Sequence, residues 1–188
     1  MKDGDADLAE MLKRIDTRLD RVVARLAIWA HPDAVSLLKE EEGNQNASWM
    51  KGIRRHRPAK NEPLGLSEDG MRLDRNNYAN HAIKGAAGLR KSIKNYFACH
   101  VWDASCYDPL LHTAIPNLVL LPRAIAGLSD FDPSTSAALR YRSYHLYRWH
   151  PPSSSIPERP EDYPTDWRSP EPFTKKIYAS IKRRKKIA

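Results

Sequence analysis

Two short apolar runs, YFACHVW at 96–102 and NLVLLP at 117–122, most constrain what this chain can fold into. Their aromatic and branched side chains suit strands, and their length suits a small sheet. Helices must then supply most of the core. After the second run, RAIAGLSD (123–130) reads as a short helix. Residues 131–150 follow with Asp132 as N-cap and Pro133 at the first helical position, then run as an aromatic-rich helix. Before the first run, residues 76–95 carry helical spacing at Tyr78, Ala82, Ile83, Ala86, Leu89 and Ile93. Gly85, Ala86, Ala87 and Gly88 on that helix predict close backbone approach. The expected class is α+β: a small two-strand unit embedded in a mostly helical protein.

At the N-terminus Leu8, Leu12, Ile15, Leu19, Val22, Leu26 and Trp29 recur at alternating spacings of four and three, the seam of a coiled coil. This predicts one helix up to His31-Pro32 and a homodimer through residues 8–29. A second short helix follows from Asp33. GNQNAS (43–48) reads as a loop, and KGIRRHRPAKNEP (51–63) as a basic, proline-broken arm. Seven of the fourteen prolines fall within 151–172, an extended segment rather than a domain. The expected organisation is a helical dimerisation segment at 1–45, a central domain at 46–150, and a proline-rich extension with a basic tail at 151–188.

The formal charge of +8 is unevenly placed. Residues 43–94 carry eleven basic and four acidic side chains, and residues 175–188 carry seven basic and no acidic ones. Two separated basic blocks point to an anionic partner such as nucleic acid. No apolar run approaches the roughly 18 residues of a membrane span. The acidic start MKDGDADLAEM lacks the apolar stretch of a secretory signal. Cys99 and Cys106 make neither a disulfide framework nor a CxxC pair. A cytoplasmic setting is expected.

The order of YFACHVW, a loop, NLVLLPR and RAIAGLSD resembles the HNH, or ββα-metal (His-Me finger), nuclease superfamily, over about 35 residues. The resemblance implies a ββα finger at 96–130 and metal-dependent hydrolysis of DNA phosphodiesters. It makes His100 the general base that deprotonates water. Asn117 takes the place of the family's central asparagine, which holds metal in some members and braces the loop carrying the base in others. Cys99 stands where many members have an acidic ligand, and Ile125 or Ala126 where a third ligand falls. Asn117 and Asp130 are therefore the expected protein ligands of Mg²⁺ or Mn²⁺, with water and phosphate completing the shell. A structural Zn²⁺ built from Cys99, Cys106, His100 and His112 matches no common spacing and is not expected.

Other candidates come from residue chemistry. His112 can brace the site or touch a phosphate, and Arg123 can hold a phosphate bidentately. Arg54, Arg55, Arg57, Lys84, Arg90, Lys91, Arg140 and Arg142 are the expected nucleic-acid contacts. Because a general base must be neutral, activity is expected to rise through about pH 6 to 7. Restriction or antiphage defence is a setting that such a small, dimeric nuclease fits. The competing readings are a non-catalytic nucleic-acid-binding protein with a degenerate finger, and a partner-binding module that works through its helix and proline-rich stretch.

Overall fold

The computed structural model describes residues 18–56, 65–90, 93–102 and 105–184. Helices α1 (Leu19–Leu26) and α2 (Pro32–Lys39) come first, then the short strands β1 (Ile53–Arg55) and β2 (Arg72–Asp74). Helix α3 (Asn77–Ala86) leads to β3 (Tyr96–His100) and β4 (Leu118–Pro122). A 3-10 turn at Arg123–Ile125, the single-turn helix α4 (Leu128–Phe131), α5 (Pro133–Tyr147) and α6 (Lys175–Arg183) complete the order. The class is α+β, as expected, with two small sheets where one was expected.

β3 and β4 pair antiparallel, His100 opposite Leu118 and Tyr96 opposite Pro122. Leu118, Val119, Leu120 and Leu121 are all fully buried, so both faces of β4 are covered. One cover is the segment after α1. The predicted helix stops at Leu26 instead of reaching Trp29, because Ile28 turns extended and exchanges two backbone hydrogen bonds with Leu120 (3.0 and 3.1 Å). Trp29 then enters the core against Tyr147 and Trp167. The expected seam is divided: Leu19 and Trp29 are buried in this chain's own body, and Leu26 is exposed. Residues 8–17 of the seam lie outside the described residues.

α3 is shorter than the predicted 76–95, and its end is built by glycine. Gly88 takes φ +72°, while Leu89 N–H bonds Lys84 O (2.7 Å) and Gly88 N–H bonds Gly85 O, which closes the last turn. A Cβ on Gly88 would meet Ile177 of α6 at 3.0 Å, and one on Gly85 would meet Trp49 at 2.9 Å. The predicted close approach is therefore to α6 and to Trp49. α5 begins as predicted: Asp132 accepts from Thr135 N–H (2.9 Å) and Pro133 follows it.

Two segments differ from expectation. The basic arm contains β1, which pairs parallel with β2 over Ile53–Arg72 to Arg55–Asp74. Parallel pairing joins residues about twenty positions apart, which local pattern does not reveal. Arg57 of that arm lies outside the described residues, as does Lys91 beyond α3. The basic tail also contains a core-forming helix. Ile177 and Ile181, one turn apart, are buried, and Arg184 ion-pairs with Glu41 and donates to Trp49 O (2.7 Å). The proline-rich stretch has no regular element and is strapped down. Arg168 N–H bonds Ala24 O, Glu171 N–H bonds Trp29 O, and Trp167 and Phe173 pack on the core. No helix among the described residues is long and apolar enough to cross a membrane.

Candidate active site

β3 ends at His100, at the edge of a cleft of about 580 Å³ whose lining includes Arg55, Asn76, Arg123 and Asp130. Ala98 on β3 has both backbone groups held by asparagine side chains of the α3 entry. Ala98 N–H donates to Asn80 Oδ1, and Asn76 Nδ2 donates to Ala98 O, each at 2.9 Å. Asn76 adopts φ +83°, a left-handed turn that asparagine tolerates better than most residues. Its Oδ1 is buried without a hydrogen-bond partner among the described residues.

The loop from 101 to 117 is tied by Asn117, which is fully buried. Its Oδ1 accepts from Trp102 N–H (3.2 Å). Its Nδ2 donates to Leu111 O and to Ser105 Oγ, both at 2.9 Å. The Ser105 hydroxyl passes its own proton to Trp102 O. Asn117 is thus engaged as the brace of the loop, one of the two roles the resemblance implies, and it does not line the cleft. The physical reason is its position in the 3-10 turn before β4, where its amide satisfies backbone groups that would otherwise be buried unpaired.

The loop so held presents His112 to His100. The two imidazoles stack with centroids 5.1 Å apart and planes within 16°. His100 Nε2 lies 3.0 Å from His112 O. A carbonyl oxygen only accepts, so Nε2 carries the proton and Nδ1 keeps the lone pair. Nδ1 makes no hydrogen bond to the described residues, and it is therefore the ring's available base. On the other side, His112 Nε2 lies 2.9 Å from Asp74 Oδ2 with both groups buried. Asp74 also accepts Asn77 N–H and Tyr78 N–H at 2.9 Å each, capping α3. One carboxylate thereby orients His112 and starts the helix whose asparagines hold β3.

The electrostatics follow from burial. Desolvation, with the neighbouring His112 second, pushes the His100 proton affinity from the usual 6.5 down to about 3. This moves the expected acid limb of activity well below pH 6. Burial raises the Asp74 carboxyl, but the His112, Tyr78 and Asn77 hydrogen bonds outweigh it and leave a net lowering. The buried Cys99 thiol is pushed up to about 12 by desolvation, so it is a neutral packing group at working pH.

The lowered His100 value has a consequence for stability. The unfolded chain binds this proton first, so stability is complete above about pH 6.5 and falls as pH drops toward 3. The loss approaches ~1.4 kcal/mol per pH unit within that window. Denaturant midpoints at pH 7 and pH 5 should differ less in His100→Phe than in the parent chain.

The remaining predicted residues divide. Arg55, Arg123 and Asp130 line the cleft beside His100. Arg123 lies over the Phe97 ring (5.8 Å). Arg140 lies over Trp102 and Arg142 over Trp167, so both guanidiniums pack on the protein's own aromatic rings. Lys84 and Arg90 lie on and just beyond α3, away from this cleft, as does Arg54 on β1. Asp74, Asn76 and Asn80 were not foreseen. The available signal was an aspartate three residues before a helix start, which reads as a cap. Comparison of the chain with protein-family models, curated proteins and solved structures found no match.

Proposed function

We propose that this chain is a metal-dependent endonuclease that hydrolyses DNA phosphodiesters, with His100 as general base. The observation that carries this reading is the His100 Nε2–His112 O hydrogen bond. It fixes the tautomer with Nδ1 unprotonated, on a ring at the rim of a cleft that holds two arginines and one carboxylate. Nδ1 takes the proton of an attacking water. Asn117 and Asp74 hold the loop and the ring that position it. Arg55 and Arg123 suit bidentate contacts to phosphate oxygens. The antiparallel β3–β4 pair followed by the 3-10 turn and α4 would be the ββα finger.

Among the described residues no group of three or more His, Cys, Asp or Glu side chains stands ready for a metal, so a magnesium ion here would take most of its shell from water and phosphate. Asp130 supplies a carboxylate, and the unpartnered Asn76 Oδ1 a second hard oxygen. Such an ion would offset charge on the leaving oxygen. Asp130, already expected as a ligand, would then be joined by Asn76.

The pH profile tests the base. kcat/KM reports the free chain, so its acid limb should fall below pH 5. A bound phosphodiester is anionic and favours the protonated ring, so the limb in kcat should lie higher than that in kcat/KM. A kcat/KM limb at pH 6 to 7 that vanishes in His100→Gln would contradict the burial argument. One observation favours a second reading. A ring with proton affinity near 3 is a weak base, which suits a nucleic-acid-binding protein without cleavage. Salt-sensitive DNA binding with no metal-dependent nicking would establish that alternative.

DNA contact is tested at Arg55. Arg55→Glu should weaken binding across sequences and flatten the salt dependence by about one unit of slope or more. Arg142→Glu should leave that slope unchanged, since its guanidinium is engaged with Trp167 and Arg168 O.

A further inference from the structure

A second cleft, of about 610 Å³, opens between α3, α6 and the segment at Trp49–Met50. Its volume is in the range of small-molecule sites. Arg72, Arg90 and Arg183 line it together with His81, and no carboxylate lines it among the described residues. None of these three arginines has an ion pair with a described residue. Arg72 spends one nitrogen on Tyr78 Oη (2.9 Å), and Arg183 spends Nε on Ala179 O (3.3 Å). Arg90 makes no hydrogen bond to a described residue and rests over the Trp49 ring at 5.3 Å. Three guanidiniums converging on one concavity repel one another, and an anion between them relieves that repulsion.

The chain is shaped to hold this arrangement. Gly85 lacks the Cβ that would stand 2.9 Å from Trp49 and 3.0 Å from the Arg90 guanidinium, so both can lie against α3. Arg184 packs over the same tryptophan at 5.6 Å and is neutralised by Glu41, which leaves the other three arginines without an ion pair among the described residues. Beside them the half-buried Tyr78 ring, with Arg72 over it at 5.8 Å, and Met50 give an apolar, planar wall. Guanidinium planes and tyrosine rings both stack on bases, and guanidinium forks match phosphate oxygens.

We propose that this second cleft binds a nucleoside phosphate, either free or as one unit of a nucleic-acid strand. The proposal does not depend on cleavage at His100. Its test uses full-length His100→Ala protein, so hydrolysis of the probe does not intervene. Calorimetric titration compares AMP, adenosine, inorganic phosphate and a deoxyoligonucleotide of about ten residues. AMP should bind saturably and more tightly than adenosine or phosphate alone. Arg90→Gln and Arg183→Gln should each weaken it about tenfold or more, as loss of a charge-assisted contact does. Both variants should stay folded with midpoints lowered at most slightly, because what each guanidinium gives up among the described residues is a contact with Trp49 or with Ala179 O and not an ion pair. An oligonucleotide that binds well above AMP and loses affinity in the same variants assigns the cleft to a strand, whereas equal affinities assign it to the free nucleotide. Absence of saturable binding by both AMP and the oligonucleotide overturns the proposal. So does unchanged binding in both variants, or phosphate alone binding as tightly as AMP.

Discussion

His100→Ala is expected to lower the single-turnover rate of DNA cleavage by roughly 10²–10⁴-fold, the usual cost of losing a general base. DNA affinity should stay within about twofold, because docking rests on arginines that contribute 1 kcal/mol or more each, whereas the ring contributes to proton transfer. The separation of rate from binding distinguishes a catalytic from a packing role. A histidine that only filled space would, on truncation, lower stability and affinity together. His100→Gln keeps a side chain that can donate to His112 O, and it should restore the folded stability without restoring the rate. Binding is read by anisotropy in EDTA and the rate by quenched flow in Mg²⁺.

Asp74→Ala is expected to be the most destabilising single change, by about 3–5 kcal/mol. The substitution leaves His112 Nε2 and the Asn77 and Tyr78 N–H groups without their acceptor inside the protein. It also uncaps α3, whose asparagines hold Ala98 of β3. Asp74→Asn retains an acceptor for the helix N–H groups and should cost less. The carboxylate's folded proton affinity is depressed, so its contribution is present above its unfolded value near 3.9 and is lost as pH falls through the lower folded value. The Asp74→Ala penalty should therefore shrink in strong acid. Urea midpoints at pH 7 and pH 3 measure this. Cleavage should fall in Asp74→Asn even where the chain stays folded, because the His112 carbonyl that sets the His100 tautomer shifts with its ring.

What could be read in advance was what local chemistry decides. The runs around Ala98 and Val119 are strands because their side chains admit little else, and Asp132-Pro133 starts a helix through its own side chain and ring. His100 was legible because a titratable ring in an apolar strand is conspicuous. Asp74 was not. On β2 it looks like a loop aspartate, and its value comes from a parallel pairing with β1 and from His112, 38 positions away. Asn117 was read as opening the second strand and stands directly before β4, but its sequence position does not show that its amide ties the loop backbone. The tail misled for another reason. Its charge density masked Ile177 and Ile181, whose spacing of four carries α6 into the core. The N-terminal stripe read as one helix up to His31-Pro32, yet Ile28 ends it early by pairing with β4.

We propose, above all, that the cleft at His100 hydrolyses DNA with a divalent ion. Its most direct test is supercoiled plasmid incubated with the full-length chain in Mg²⁺ or Mn²⁺, and in EDTA, beside His100→Ala prepared identically. The parent should convert plasmid to nicked and linear forms with metal and not in EDTA, and the variant should lose nearly all conversion. Equal cutting by His100→Ala, or plasmid left supercoiled by the parent under every metal condition, would contradict it.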